Sequence, residues 1–121
     1  MQTITNKKIA LKKVKQNGIA LRYASKELRA DKEVVLAAVN QNGWAFQYAS
    51  DDLKNDKEVV LAAVKQNGRA LEFASKELRA DSEVVTEAVK QDGWAYKYAS
   101  DELKNDNDVV LEALSNISIN Y

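Results

Sequence analysis

Residues 31–55 read Asp-Lys-Glu-Val-Val-Leu-Ala-Ala-Val-Asn-Gln-Asn-Gly-Trp-Ala-Phe-Gln-Tyr-Ala-Ser-Asp-Asp-Leu-Lys-Asn. The first half carries the signals of a helix. Asp31 stands where an N-cap carboxylate accepts the free N–H groups of the first turn, and Glu33 follows within that turn, where the positive end of the helix dipole favours it. Val34, Val35, Ala38 and Val39 then fall at i, i+1, i+4 and i+5, an apolar stripe that a helix must bury. Asn42-Gly43 reads as a left-handed stop. The spacing predicts a helix over about 32–41.

After the glycine, Ala45, Tyr48, Ala49 and Leu53 recur at i, i+3, i+4 and i+8 and predict a second helical segment. Two forms are open. The segment runs unbroken to Lys54, or it stops near Ser50, whose hydroxyl then caps one further turn over Asp51 to Lys54. Serine competes for backbone hydrogen bonds inside helices and prefers caps, which favours the break.

The stretch is one copy of several. All four glycines fall at 18, 43, 68 and 93, a spacing of 25 residues. On that spacing Asn6, Asp31, Asp56, Asp81 and Asp106 form one column, and Ser25, Ser50, Ser75 and Ser100 another. The apolar columns agree without a gap, as in Val14/Val39/Val64/Val89/Leu114 and Leu28/Leu53/Leu78/Leu103. A period of 50 overlies the first, because units one and three share Ala-Ser-Lys-Glu-Leu-Arg-Ala-Asp while two and four share Gly-Trp-Ala.

The reading is therefore four units, 6–30, 31–55, 56–80 and 81–105, with a C-terminal cap over 106–121 in which Ile117, Ile119 and Tyr121 cover the last apolar face. A 25-residue unit cannot hide its own stripe. The fold expected is all-α, a tandem helical repeat whose units stack into a right-handed solenoid or a compact arc. Lys12 and Lys13 stand where the second unit has Ala37 and Ala38, the polar outer face that a terminal unit needs.

The motif Asp-Lys-Glu-Val-Val-Leu-Ala-Ala-Val-Lys-Gln-Asn-Gly-x-Ala-Leu-x-x-Ala-Ser-x-x-Leu resembles domain-of-unknown-function family 4116, over about residues 6–114. The resemblance implies tandem repeats and brings no catalytic residues with it. The first unit departs most, with Asn6 in place of Asp and Lys13 in place of Ala, as a capping unit would.

Composition narrows the chemistry. The 121 residues include no cysteine, so disulfides and thiolate metal sites are excluded. Histidine is absent too, which removes the commonest general base and transition-metal ligand. The longest apolar runs, such as Val34–Val39, are six residues, far short of the roughly 20 that span a bilayer. Met1 to Lys8 has no apolar signal core, and the chain is expected in the cytoplasm.

Asp51-Asp52 and Asp101-Glu102 sit at helix starts and read as caps rather than as an acid/base pair. The Asp31 column recurs once per unit, one helix diameter apart, and lacks the spacing of a calcium loop. No Gly-rich loop precedes a Lys-Ser/Thr step, so no phosphate cradle is present. No enzyme activity, cofactor or metal is expected. The basic column Arg29, Lys54, Arg79 and Lys104 follows helix ends, where cations favour the dipole.

The columns that vary within the fixed frame are the candidate site. After each glycine come Ile19, Trp44, Arg69 and Trp94, and three residues on come Arg22, Gln47, Glu72 and Lys97. Projecting from one edge, they would form a stripe of Trp and charged side chains, the composition of binding hot spots. The alternative is that both Trp fill grooves between units.

Charge is zero overall but lopsided. Residues 1–30 hold eight basic and one acidic residue, net +7, and residues 81–121 hold three basic and nine acidic, net −6. Lys7, Lys8, Lys12 and Lys13 make a charged end, and oppositely charged ends favour self-association. The function expected is a noncatalytic protein-interaction module. One alternative is a small phage- or pathogen-derived inhibitor that blocks a nucleic-acid enzyme by protein binding through its acidic half. Another is direct nucleic-acid binding through Lys7, Lys8, Lys12, Lys13 and Lys15.

Overall fold

The computed structural model describes residues 3–117, and every structural statement below concerns those residues. Ile119 and Tyr121, expected over the last apolar face, lie outside them. Eight α-helices follow in chain order: α1 Lys7–Gln16, α2 Lys26–Arg29, α3 Lys32–Gln41, α4 Asp51–Lys54, α5 Lys57–Gln66, α6 Ser82–Gln91, α7 Asp101–Lys104 and α8 Asn107–Ser115. The five long ones recur on the 25-residue period, and α3 has the predicted bounds. Between them run 3₁₀ segments, Gly18–Tyr23, Gly43–Tyr48, Gly68–Phe73 and Gly93–Tyr98. The fold is an all-α tandem repeat.

The long helices start where the cap column says. The side-chain oxygens of Asn6, Asp31, Asp56, Asp81 and Asp106 accept the N–H three residues on, at 3.1–3.3 Å. They stop by a different device from the one expected. Asn42 is extended, at φ −153° and ψ 112°, and no described residue has positive φ, so there is no left-handed stop. Instead the side chains of Asn17, Asn42, Asn67 and Asp92 accept the N–H two residues on, at 2.9–3.1 Å, and turn the chain directly into the 3₁₀ segment.

The glycine that follows is required by a close approach. A Cβ at Gly18, Gly68 or Gly93 would collide with the carbonyl oxygen of Ala38, Ala88 or Ala113 in the next unit.

The second segment also differs from expectation. It breaks at serine as predicted, and Ser25, Ser50, Ser75 and Ser100 accept from the N–H of Leu28, Leu53, Leu78 and Leu103. Before the break, however, it winds three residues per turn. Gly43, Phe46 and Ala49 therefore share a face, and all three are buried. The 3.6-residue stripe passed over Phe46 and its equivalents Leu21 and Leu71, which are among the largest fully buried side chains. In the third unit the short helix is reduced to a 3₁₀ turn, Leu78–Ala80.

The end units reveal which face meets which neighbour. In α1, Ala10 and Val14 are buried while Ile9 is 50% exposed; in α8, Val109 and Ala113 are buried while Leu114 is 64% exposed. The Val34/Ala38 columns thus face the preceding unit, and the Val35/Val39 columns face the following one. In α3, α5 and α6 both pairs are fully buried, at about 1.5–3 kcal/mol for each valine removed from water. Lys13, at the Ala38 position with no unit before it, points to solvent.

Backbone bonds join the units as well. The N–H of Ser50, Ser75 and Ser100 donates to the carbonyl of Arg29, Lys54 and Arg79, each at 2.9 Å. In the first unit Ile4 takes the place of the missing neighbour. Its carbonyl accepts from Ser25 and its N–H donates to Tyr23, both at 2.7 Å, as a single parallel bridge.

Candidate interaction surface

The 3₁₀ segments of neighbouring units pack against one another, and at three residues per turn the two varying columns, three residues apart, share a face of each segment. Trp44 donates its backbone N–H to the Asn42 side-chain oxygen at 3.0 Å, within its own unit. Its ring meets Phe73 of the next unit edge-on, with centroids 6.3 Å apart and planes at 74°. It nonetheless stays 39% exposed, and Trp94 48% exposed. The two readings of these residues are therefore not exclusive. Trp44 packs against Phe73 across the unit boundary and leaves 39% of its surface in solvent.

The charged column lies beside the aromatics. The Arg22 guanidinium sits 5.0 Å from the centroid of the Tyr23 ring, and the Lys97 ammonium 5.1 Å from that of Tyr98. Gln47 folds back on its own turn, its Nε2 donating to the Trp44 carbonyl at 3.1 Å. Glu72 is exposed. Arg69 is committed within the protein, its Nε donating to Asp92 Oδ2 at 2.6 Å, so it presents a fixed rather than a searching charge.

At the charged end the structure separates residues that the sequence grouped. Lys7 Nζ lies 3.0 Å from Asp31 and 2.9 Å from Glu33 in the second unit. The arrangement repeats for Lys32 with Asp56 and Glu58, and for Lys57 with Asp81 and Glu83, at 2.8–3.1 Å. These three lysines form a ladder along the stack, and Lys7 is its first rung. Lys8, Lys12 and Lys13 remain exposed.

Sequence reasoning missed this ladder, although its signal was present: a Lys directly after the cap, with Asp 24 and Glu 26 residues further on. Hydrogen bonds to Glu33 and then Asp31 hold Lys7 above its usual range, and the same pattern raises Lys32 and Lys57. Partial burial pushes the Asp31 and Asp56 carboxyls up, but the bonds from lysine and from the capped backbone N–H outweigh it and leave both below the ordinary value. Asp81 is lowered against the same burial, with the backbone bond leading. The fourth rung is missing its cation, because Ser82 stands where a lysine would reach Asp106 and Asp108.

Among the described residues no group of three His, Cys, Asp or Glu side chains is placed to hold a metal ion. No helix is long and apolar enough to cross a membrane. What the surface offers is aromatic area, positioned charge and repetition.

The profile of a family described as "Domain of unknown function (DUF4116)" matches residues 6–52, 31–79 and 81–121, three times over most of the chain. The chain belongs to this family. No curated protein and no solved structure matched. The DUF4116 matches begin at the cap column of the first, second and fourth units, and each takes in two consecutive long helices: α1 and α3, α3 and α5, and α6 and α8.

Proposed function

We propose that the chain is a noncatalytic protein-interaction module whose partner lies along the edge carrying Trp44, Arg69 and Trp94. The observation that carries this reading is the exposure of the two tryptophans, 39% and 48%, on a stack whose interior valines Val34, Val35, Val39 and their equivalents in α5 and α6 are fully buried. Large aromatic side chains held by their own backbone lose little entropy on binding and dominate interface energies. Charges of both signs along the edge, Arg22, Glu72 and Lys97, suit a protein surface better than a uniformly anionic polymer. The commitment of Lys7 to Asp31 and Glu33 takes one cation away from a nucleic-acid reading.

The test is recovery of a partner by the intact chain and by variants. Trp44→Ala and Trp94→Ala together should abolish recovery by chains that still melt cooperatively, Trp44→Ala lowering the melting temperature through the lost Phe73 contact, and Lys12→Glu should leave recovery intact. A partner that is lost with Lys12→Glu, released by modest salt and indifferent to the tryptophans would replace the edge with the charged end.

A further inference from the structure

The fold sets asparagine directly before glycine at Asn17-Gly18, Asn42-Gly43 and Asn67-Gly68. Two separate demands meet at each step. The turn needs a side-chain oxygen that accepts the N–H two residues on, and the close approach of the next unit leaves little or no room for a Cβ on the residue between. The fourth unit meets both demands with Asp92-Gly93, so the turn uses the oxygen and has no need of the amide.

An asparagine before glycine loses its amide readily, because glycine puts no side chain in the way of ring closure. The glycine nitrogen gives up its proton to water and bonds to the asparagine Cγ, ammonia leaves, and water opens the five-membered imide that results. Opening at one carbonyl yields aspartate. Opening at the other yields isoaspartate, whose main chain runs through the former side chain and is longer by a carbon.

Ring closure requires Cβ and the glycine nitrogen on the same side of the Cα–C bond. The folded chain holds them apart. Asn17, Asn42 and Asn67 have ψ of 104°, 112° and 106°, which turns the glycine nitrogen to the far side of that bond. The Gly18 N–H is also tied across the unit boundary, donating to Gln41 Oε1 at 2.5 Å.

We propose that these three steps are spontaneous deamidation sites that the stack keeps closed, each converting only when its own unit opens. Opening the first unit gives up one boundary with a neighbour, and opening the second or third gives up two. Ile4 supplies two backbone bonds on the outer side of the first unit, but none of the valine packing that joins interior units. Asn17 therefore converts first. Its two products differ in effect: aspartate keeps the turn, as Asp92 does, whereas isoaspartate lengthens the chain where Gly18 meets the Ala38 carbonyl, so the first unit no longer seats on the second. None of this involves the tryptophan edge, and it holds whether or not that edge binds a partner.

The chain is held at mildly alkaline pH, folded and in concentrated urea, and its peptides are followed by mass spectrometry with chromatography that separates aspartate from isoaspartate. In urea the three asparagines should convert at similar rates. In the folded chain Asn42 and Asn67 should slow by more than about a hundredfold, and Asn17 by at least about tenfold less than they do. Val59→Ala, at the boundary where Gly43 meets Ala63, should speed Asn42 about tenfold in the folded chain and leave its rate in urea unchanged. An Asn17→Asp chain should melt as its parent does, while the purified isoaspartate product at position 17 should exchange the amides of α1 faster. Interior sites that convert as fast folded as in urea would overturn the proposal. So would an Asn17 no faster than Asn42, or a Val59→Ala chain with the parental rate at Asn42.

Discussion

Gly18, Gly43, Gly68 and Gly93 have negative φ, so alanine at these positions meets no backbone objection and would gain about 0.4–1 kcal/mol by restricting the unfolded chain. The neighbour decides otherwise. In Gly68→Ala the new methyl would press on the Ala88 carbonyl, and overpacking of this kind costs about 1–3 kcal/mol. Gly43→Ala should be the mildest of the four, because the Ala63 oxygen lies 3.0 Å from where the Cβ would sit, further than its equivalents elsewhere. Urea midpoints of the four variants should rank in that order, and a Gly68→Ala protein more stable than its parent would show that the approach is not the constraint. A left-handed stop and a close approach both select glycine. The sequence displays the spacing, and only the carbonyl across the unit boundary distinguishes the cause. Phe46 was hidden for a related reason, since its burial depends on winding at three residues per turn.

At the scale of the element, the helix starts were readable because an N-cap acts within four residues of sequence. The ladder was not, because its partners are 24 and 26 residues apart and meet only once the helices stack. Its pH dependence follows from the direction of each shift. Asp31, Asp56 and Asp81 are held below 3.8 in the folded protein, so their contribution is complete above that value and is lost as pH falls through the folded pKa. Lys7, Lys32 and Lys57 are raised above 10.5, so theirs is complete below that value and is lost as pH rises through the folded pKa. Stability should be level between these limits and decline beyond each. Lys32→Met should lower neutral-pH stability slightly, flatten the acid decline, and match its parent at about 1 M salt. Ser82→Lys should do the reverse, supplying the missing cation opposite Asp106 and Asp108 for a gain of a few tenths of a kcal/mol, about the size of an exposed pair. Thermal melts at low and high salt check both.

For the whole molecule, stability is a sum over neighbours, because each long helix is covered by the 3₁₀ segment of its own unit and by the units before and after it. The apolar columns showed this directly, since a stripe on both flanks of a 25-residue unit has no other means of burial. Position along the stack should therefore govern the cost of one chemical change. Val59→Ala removes two methyl groups from a site enclosed on both sides and should cost about 2–3 kcal/mol. Val110→Ala makes the same change where the covering unit is absent, and the side chain is only partly buried, so less than half that cost is expected. Amide exchange should give the same profile without mutation, slowest in α3, α5 and α6 and faster in α1 and α8. Equal costs for the two valine variants would break the nearest-neighbour account, as would uniform protection from α1 to α8.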